Sequence, residues 1–423
     1  MARLTFPTPP GWLRRGPLRE GAFRSSLHDE RTAALIGTAL GIAFTTAFLT
    51  GLISHELQLR HPPTWIPDRP VWIYRFTQGL HVASGLAAIP LLLAKLWTVY
   101  PRLFGWPPLS SIRHALERLS ILVLVAGAIF QLVTGLLNVI QWYPWAFAFV
   151  PTHYQVAWIT VGALIVHIAV KAPAIARGYR RPTVQPSPAA LITEPDLEPQ
   201  SELIAEPSPE SSVAESAPPR FLAPRPGTVS RRSLLTATGA AVGVVTLTTV
   251  GQSVSWLRGI DLLAPRDPSV GPQSVPINRT AAQAGVQSTA FDPGWRLEVD
   301  GPRPFQLTLA QLGQLPQYEA VLPIACVEGW SVNGRWSGVR LRDLLESAGA
   351  PPGADIRIVS FEKAGFYATT TMPREYARDP LTLLALRLGR QPLSVDHGYP
   401  ARIIAPGRPG VLQTKWVQRI EVL

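Results

Sequence analysis

Residues 119–140 read LSILVLVAGAIFQLVTGLLNVI, with no charged side chain from Leu119 to Ile140. A helix needs about 20 apolar residues to cross the hydrocarbon core of a bilayer, and this run supplies them. Three more uncharged runs stand around it, Ala33 to Ile53, Phe76 to Ala94 and Ala146 to Val170. They predict an N-terminal all-α transmembrane helix bundle of four spans over residues 1–181. A further uncharged segment, Leu234 to Leu257, is rich in Thr, Ser and Gly. It reads as a fifth, anchoring span or as a buried or interfacial helix.

The 423-residue chain has a formal net charge of +11, which invites a nucleic-acid partner. Residues 1–181 hold 17 basic and 6 acidic side chains, and the remainder of the chain balances to zero. The excess therefore flanks the apolar runs, the pattern of cytoplasmic loops in a membrane protein rather than of a nucleic-acid binder. Arg3, Arg14, Arg15, Arg19, Arg24 and Arg31 precede the first span; Lys95, Arg102, Arg113 and Arg118 separate the second from the third; Lys171, Arg177, Arg180 and Arg181 follow the fourth. Lys and Arg near span ends stay cytoplasmic, so the N-terminus is expected inside. With the fifth span counted, the chain beyond about Arg258 is extracytoplasmic. The expectation is a multi-pass protein of the cell membrane, in contact with the lipid bilayer.

Residues 182–229 contain eleven prolines and seven acids, a composition that cannot bury a core and predicts a disordered cytoplasmic linker. Residues 230–265 open with Ser230-Arg231-Arg232-Ser233-Leu234-Leu235. This resembles a twin-arginine export signal and reads equally well as a positive-inside anchor; no small-residue cleavage site follows, so the segment is expected to stay. Residues 266–423 read as a soluble α+β domain. Val321 to Cys326 predicts a buried strand, Asn333-Gly334 a tight turn, Val339 to Ala348 a helix closed by Gly349, and Arg402 to Ala405 and Trp416 to Leu423 further strands.

Cys326 is the one cysteine of the chain, which excludes disulfide scaffolds and Cys-rich zinc or iron–sulfur modules. At a strand end it suits a soft metal; the plain alternative is a buried small hydrophobe. A free thiol outside the cytoplasm is open to oxidation, which argues against keeping one idle.

Ala325-Cys326-Val327-Glu328-Gly329-Trp330-Ser331, Trp336-Ser337-Gly338-Val339, Leu341-Arg342-Asp343-Leu344-Leu345, Asp379-Pro380-Leu381-Thr382-Leu383-Leu384-Ala385, His397-Gly398-Tyr399-Pro400-Ala401-Arg402 and Gln413-Thr414-Lys415-Trp416 occur in that order. The series resembles the sulfite-oxidase superfamily of molybdopterin enzymes, in the branch with the periplasmic protein-methionine-sulfoxide reductases. The resemblance implies that Cys326 ligates molybdenum, that His397 and Arg402 contact the pterin and its phosphate, and that Gln413, Thr414 and Lys415 clamp it. It also places Asn278 as a cofactor contact. Arg and Lys beside Gly-rich turns are suitable phosphate donors; His397 and Arg402 alone would read as an ordinary surface pair. Sulfite oxidases have Gly-Asn-Arg after the metal cysteine where this chain has Val-Glu-Gly-Trp-Ser, which speaks against sulfite. The dimerisation domain of those enzymes is not expected, nor is a dimer of that type.

His55, His81, His114, His153 and His167 lie in or beside the first four spans. Ionisable groups in a bilayer are functional suspects, and His is a common haem ligand; each could instead be a hydrogen-bonded packing residue. His153 and His167 return to one helix face about 21 Å apart, which resembles di-haem cytochrome b subunits. An outer b-type haem between His81 and His153 is the first expectation. His55 is a further outer candidate, His28 and His114 inner ones, and the partner of His167 stays open.

The sequence thus predicts a membrane oxidoreductase exchanging electrons with quinone through one or two b-type haems. Its Mo-molybdopterin centre would reduce a small-molecule or protein sulfoxide. Sulfite oxidation, or a membrane-anchored binding module without metal, are the alternatives.

Overall fold

The computed structural model describes residues 7–19, 22–23, 25–63, 69–180, 229–264, 266–363 and 365–423. The linker expected over 182–229 lies outside them except for Val229.

A short α1 (Gly11–Arg15) precedes the long helices α2 (Glu30–Leu57), α3 (Ile73–Val99), α4 (Ile112–Val139), α5 (Phe149–Tyr179) and α6 (Arg231–Val250). Polar caps fix three of their starts by accepting an otherwise orphaned backbone N–H: Asp29 from Thr32, Ser111 from His114 and Ser230 from Ser233. Among the described residues these five helices are long and apolar enough to cross a membrane. Large side chains such as Leu122 and Ile165 face outward, 64% and 63% exposed. That surface is costly in water and at home in lipid. α2 packs on α3 and α5, α4 on α5, and α3 on α6. Ion pairs Glu30–Arg177, Glu117–Lys171 and Asp29–Arg231 join the helix ends on one side of the bundle. The fifth helix stops at Val250, short of the expected Leu257. Past it the backbone is committed elsewhere, since the Gln252 carbonyl accepts the Ser331 N–H at 2.8 Å.

The rest of the chain supplies ten strands, β1 (Arg296–Asp300), β2 (Phe305–Thr308), β3 (Tyr318–Ala325), β4 (Ser331–Arg340), β5 (Ile356–Ser360), β6 (Thr369–Met372), β7 (Leu383–Leu388), β8 (Gln391–Pro392), β9 (Arg402–Ile404) and β10 (Val417–Val422), among the described residues. Short helices α7 (Ala281–Ala284), α8 (Leu309–Gln314), α9 (Leu341–Ser347) and α10 (Arg374–Ala377) lie between them. One sheet runs β2-β1-β10-β5-β6 with only β1 and β10 parallel; the other runs β3-β4-β7-β8, with β9 also on β7. Leu297, Leu345, Ile358 and Ile420 fill the core against the first sheet, and Trp330, Trp336 and Leu383 a second core that includes Cys326. This is the α+β domain the sequence predicts.

Two local expectations are corrected. Asn333-Gly334 is no turn; both sit in mid-ladder opposite Pro323 and Leu322. The reversal falls instead at residues 326–330, where the Cys326 N–H donates to the Trp330 carbonyl at 2.9 Å and Gly329 takes a φ of 93° that a side chain would resist. The helix expected from Val339 begins at Leu341, because Val339 and Arg340 are still paired with Leu384 and Leu383.

Candidate active site

β3 delivers Cys326 to the floor of a cleft with ≈ 1010 Å³ of empty space, its open mouth included. Cys326 is 1% exposed. Burial, reinforced by the neighbouring Glu328, pushes its thiol well above the ordinary range, so it would ionise only against a strong positive charge. The tight loops around β9 and before β10 bring His397, Arg402, Gln413, Thr414 and Lys415 to the same cleft, and Asn278 joins from the segment before α7.

Four of these residues, Arg402, His397, Lys415 and Gln413, are held by backbone. Arg402 donates to the carbonyls of His397 at 3.1 Å and Gln413 at 3.2 Å and lies over the Trp336 ring. His397 Nε2 meets the Pro272 carbonyl at 2.7 Å. Lys415 donates to the carbonyls of Arg279 and Asp396. Gln413 spends its amide on the backbone of Ala405 and Arg408, and Thr414 meets Thr370. Neither Arg402 nor Lys415 has a carboxylate in ion-pair contact among the described residues, and Arg402 Nε is buried without a partner. Burial lowers Arg402 to about 9; burial and then Arg402 lower Lys415 to about 7 and His397 to about 4. Buried cations without counterions are costly, so the cleft is built for an anionic group. Among the described residues no three or more His, Cys, Asp or Glu side chains gather for a metal ion. A metal at Cys326 would therefore draw its other ligands from the bound group.

A second cavity, with ≈ 1360 Å³ of empty space including its mouth, opens in the bundle and is lined by His55, His81 and His153 among largely apolar side chains. The His81 and His153 rings are 6.1 Å apart between centroids. Nδ1 of His81 meets the Ala47 carbonyl at 2.7 Å, and Nδ1 of His153 meets Thr134 Oγ1 at 2.9 Å. Tying off Nδ1 orients an imidazole and leaves Nε2 for a metal. Two metal–imidazole bonds of about 2 Å each, plus the ring depths, require a centroid separation on the order of 6 Å. Gly51 makes room for the ring, since a Cβ there would stand 2.7 Å from two atoms of His81. His55 stacks on Tyr154 at the same cavity. His167 is outside the lining; His28 packs on Trp97, and His114 bonds to Ser110 and Arg118.

The two cavities meet at one peptide. Cys326 lines the first, and Val327 lines the second. Gln78 of α3 donates to the Val327 carbonyl at 2.5 Å, Ser253 to the Gly329 carbonyl, and Gln141, just past α4, to Glu328. Glu328 also accepts from Trp330 Nε1 at 2.9 Å and pairs with Arg266. Its carboxyl is raised by burial, with these donors pulling against the shift. In the sequence Glu328 stands out as part of the Cys326 series and as a departure from sulfite oxidases, while Gln78, Gln141, Arg266 and Arg279 do not stand out. An acid two residues from a buried cysteine was the available signal for Glu328; an amide within an apolar run was a faint one for Gln78.

Residues 284–423 match the oxidoreductase molybdopterin binding domain family. Mitochondrial sulfite oxidase of Drosophila melanogaster is 33% identical over 155 residues, 30% of this chain and 27% of that protein. A protein of Azospira oryzae, provisionally named protein-methionine-sulfoxide reductase subunit YedZ1, is 33% identical over 170 residues, 40% of this chain and 63% of its own. The protein-methionine-sulfoxide reductase catalytic subunit MsrP of Gluconobacter oxydans is 32% identical over 164 residues, 34% of this chain and 51% of its own. The chain thus spans less than two thirds of each of these relatives. The C-terminal domain is similar to molybdopterin-binding oxidoreductase domains, those of sulfite oxidase and MsrP among them.

Proposed function

We propose that this chain is a membrane-anchored molybdenum oxidoreductase that takes electrons from quinol through one b-type haem and reduces a sulfoxide. The observation that carries the reading is Cys326 in a cleft that also holds the buried Arg402 and the half-buried Lys415, neither with an ion-pair partner among the described residues. In this reading the Cys326 thiolate ligates molybdenum, Arg402 and Lys415 neutralise the pterin phosphate, and His397, Gln413, Thr414 and Asn278 shape the cleft around it. His81 and His153 hold the haem iron through Nε2, with Ala47 and Thr134 fixing the rings. The bound groups supply oxygen-atom transfer and one-electron exchange; the protein orients them and excludes water.

A sulfoxide is preferred over sulfite on charge. Where sulfite oxidases carry Gly-Asn-Arg after the metal cysteine, this chain has Val327-Glu328-Gly329-Trp330-Ser331, which lacks the arginine that would attract a sulfite anion. The chain is read as one unit of the cell membrane. The bundle end bearing Asp29, Glu117, Lys171, Arg177 and Arg231 is cytoplasmic, which puts the C-terminal domain outside. Arg231, of the twin-arginine-like pair, meets Asp29 and Thr32, which favours an anchor.

Purified full-length protein is expected to contain molybdenum that Cys326→Ser loses, and a reduced haem band that His81→Ala and His153→Ala lose while His167→Ala keeps it. Equal molybdenum in the parent and Cys326→Ser would overturn the site. A haem band retained by His81→Ala and His153→Ala would overturn the iron ligands.

A further inference from the structure

The contacts between the bundle and the C-terminal domain concentrate on the segment that carries Cys326. Gln78 holds the Val327 carbonyl, and Gln141 holds both Glu328 and, at 3.3 Å, the Asn278 carbonyl. Arg266 bonds Gln141 from the opposite side and pairs with Glu328. Leu57 and Tyr74 of the bundle bury Ala325. A second contact lies beyond β6, where the Thr371 N–H donates to the Arg60 carbonyl at 2.9 Å, Thr371 Oγ1 meets His61 Nδ1 at 2.6 Å, and Arg69 pairs with Asp379. The Glu328 and Asp379 side chains are 3% and 4% exposed. Separating the halves would strip Asp379 of Arg69 and Glu328 of the Gln141 amide, and would leave the Gln78 amide without the Val327 carbonyl. A domain that swings free of its tether in each turnover would keep such groups solvated instead.

We infer that residues 326–330 are a permanent bridge, holding the two cavities at a fixed separation across the Cys326–Val327 peptide. Electrons then cross between their occupants with no movement of one half on the other. This rests on the function proposed above. Each turnover takes two one-electron crossings: a quinol yields two electrons and two protons and becomes quinone, and a sulfoxide takes up two of each, losing its oxygen as water and leaving a thioether. A tether holds its ends at an effective concentration of about 1 mM, so an interface dependent on it would come apart at micromolar protein once the tether is cut.

The test uses the full chain with a protease site inserted between the exposed Leu262 and Leu263, so that α6, which packs on α3, stays with the bundle; it is purified in mild detergent with an N-terminal tag and then cleaved. The C-terminal fragment is expected to stay with the tagged fragment, and reoxidation of the reduced haem by added methyl sulfoxide to keep its rate after cleavage and on raising the viscosity with glycerol. Release of the C-terminal fragment overturns the bridge, as does a rate that falls in proportion to viscosity. Co-purification does not depend on any bound group, so fragments that stay together in protein devoid of haem and molybdenum would support permanent docking while overturning the function it serves.

Discussion

Lys415, half-buried, and His397, buried, have their protonated forms disfavoured, at about 7 and about 4. In the unfolded chain they would titrate near about 10.4 and about 6.5. Between folded and unfolded values the unfolded chain holds more protons, so stability rises with pH. Protein stripped of its pterin is therefore expected to melt at a higher temperature at about pH 8 than at about pH 7, a window below the ordinary range of Cys326. A bound phosphate should return charge to Lys415 and flatten that slope. A melting temperature that falls over the window in stripped protein would contradict the burial of an uncompensated lysine. Cys326, Arg402 and Lys415 stood out in the sequence through the ordered motifs that resemble a known family, and the fold brings the three to one cleft. Gln78 did not stand out: its partner Val327 is 249 residues away, and an uncharged amide leaves no mark in charge or periodicity.

At the scale of elements, the spans were readable from length and absence of charge, while the chain between them was not. Arg60 and His61, after α2, meet Thr371 of β6, and Arg69 pairs with Asp379, whose side chain is 4% exposed while that of Arg69 is 48% exposed. Because Asp379 also caps the Leu381 N–H at 2.8 Å, Arg69→Ala leaves a held, buried carboxylate without its cation. The expected cost is about 1–3 kcal/mol, read as a lower melting temperature in detergent with the spans still helical by circular dichroism. An unchanged melting temperature would mean that this loop does not clasp the domain. The misplaced turn has a similar cause: Asn-Gly favours reversal locally, but the ladder to β3 and the packing of Trp336 outweigh it, and the loop goes where Cys326 must be presented.

For the whole molecule, the segmental charge balance located the membrane half, and the ordered motifs located the cofactor half. What neither could disclose is that the halves share a wall, because that depends on which ends of five helices meet which loop of a sheet. In the function proposed above, the shared wall would make the chain a single electron-carrying unit. Its most direct test is to reduce the purified full-length chain, remove the reductant under anaerobic conditions, add a methyl sulfoxide and follow the haem spectrum. The account predicts that the reduced bands disappear with the parent chain and persist with Cys326→Ser. Reduced bands that persist in molybdenum-replete parent protein, or oxidised haem that becomes reduced on adding sulfite, would contradict it.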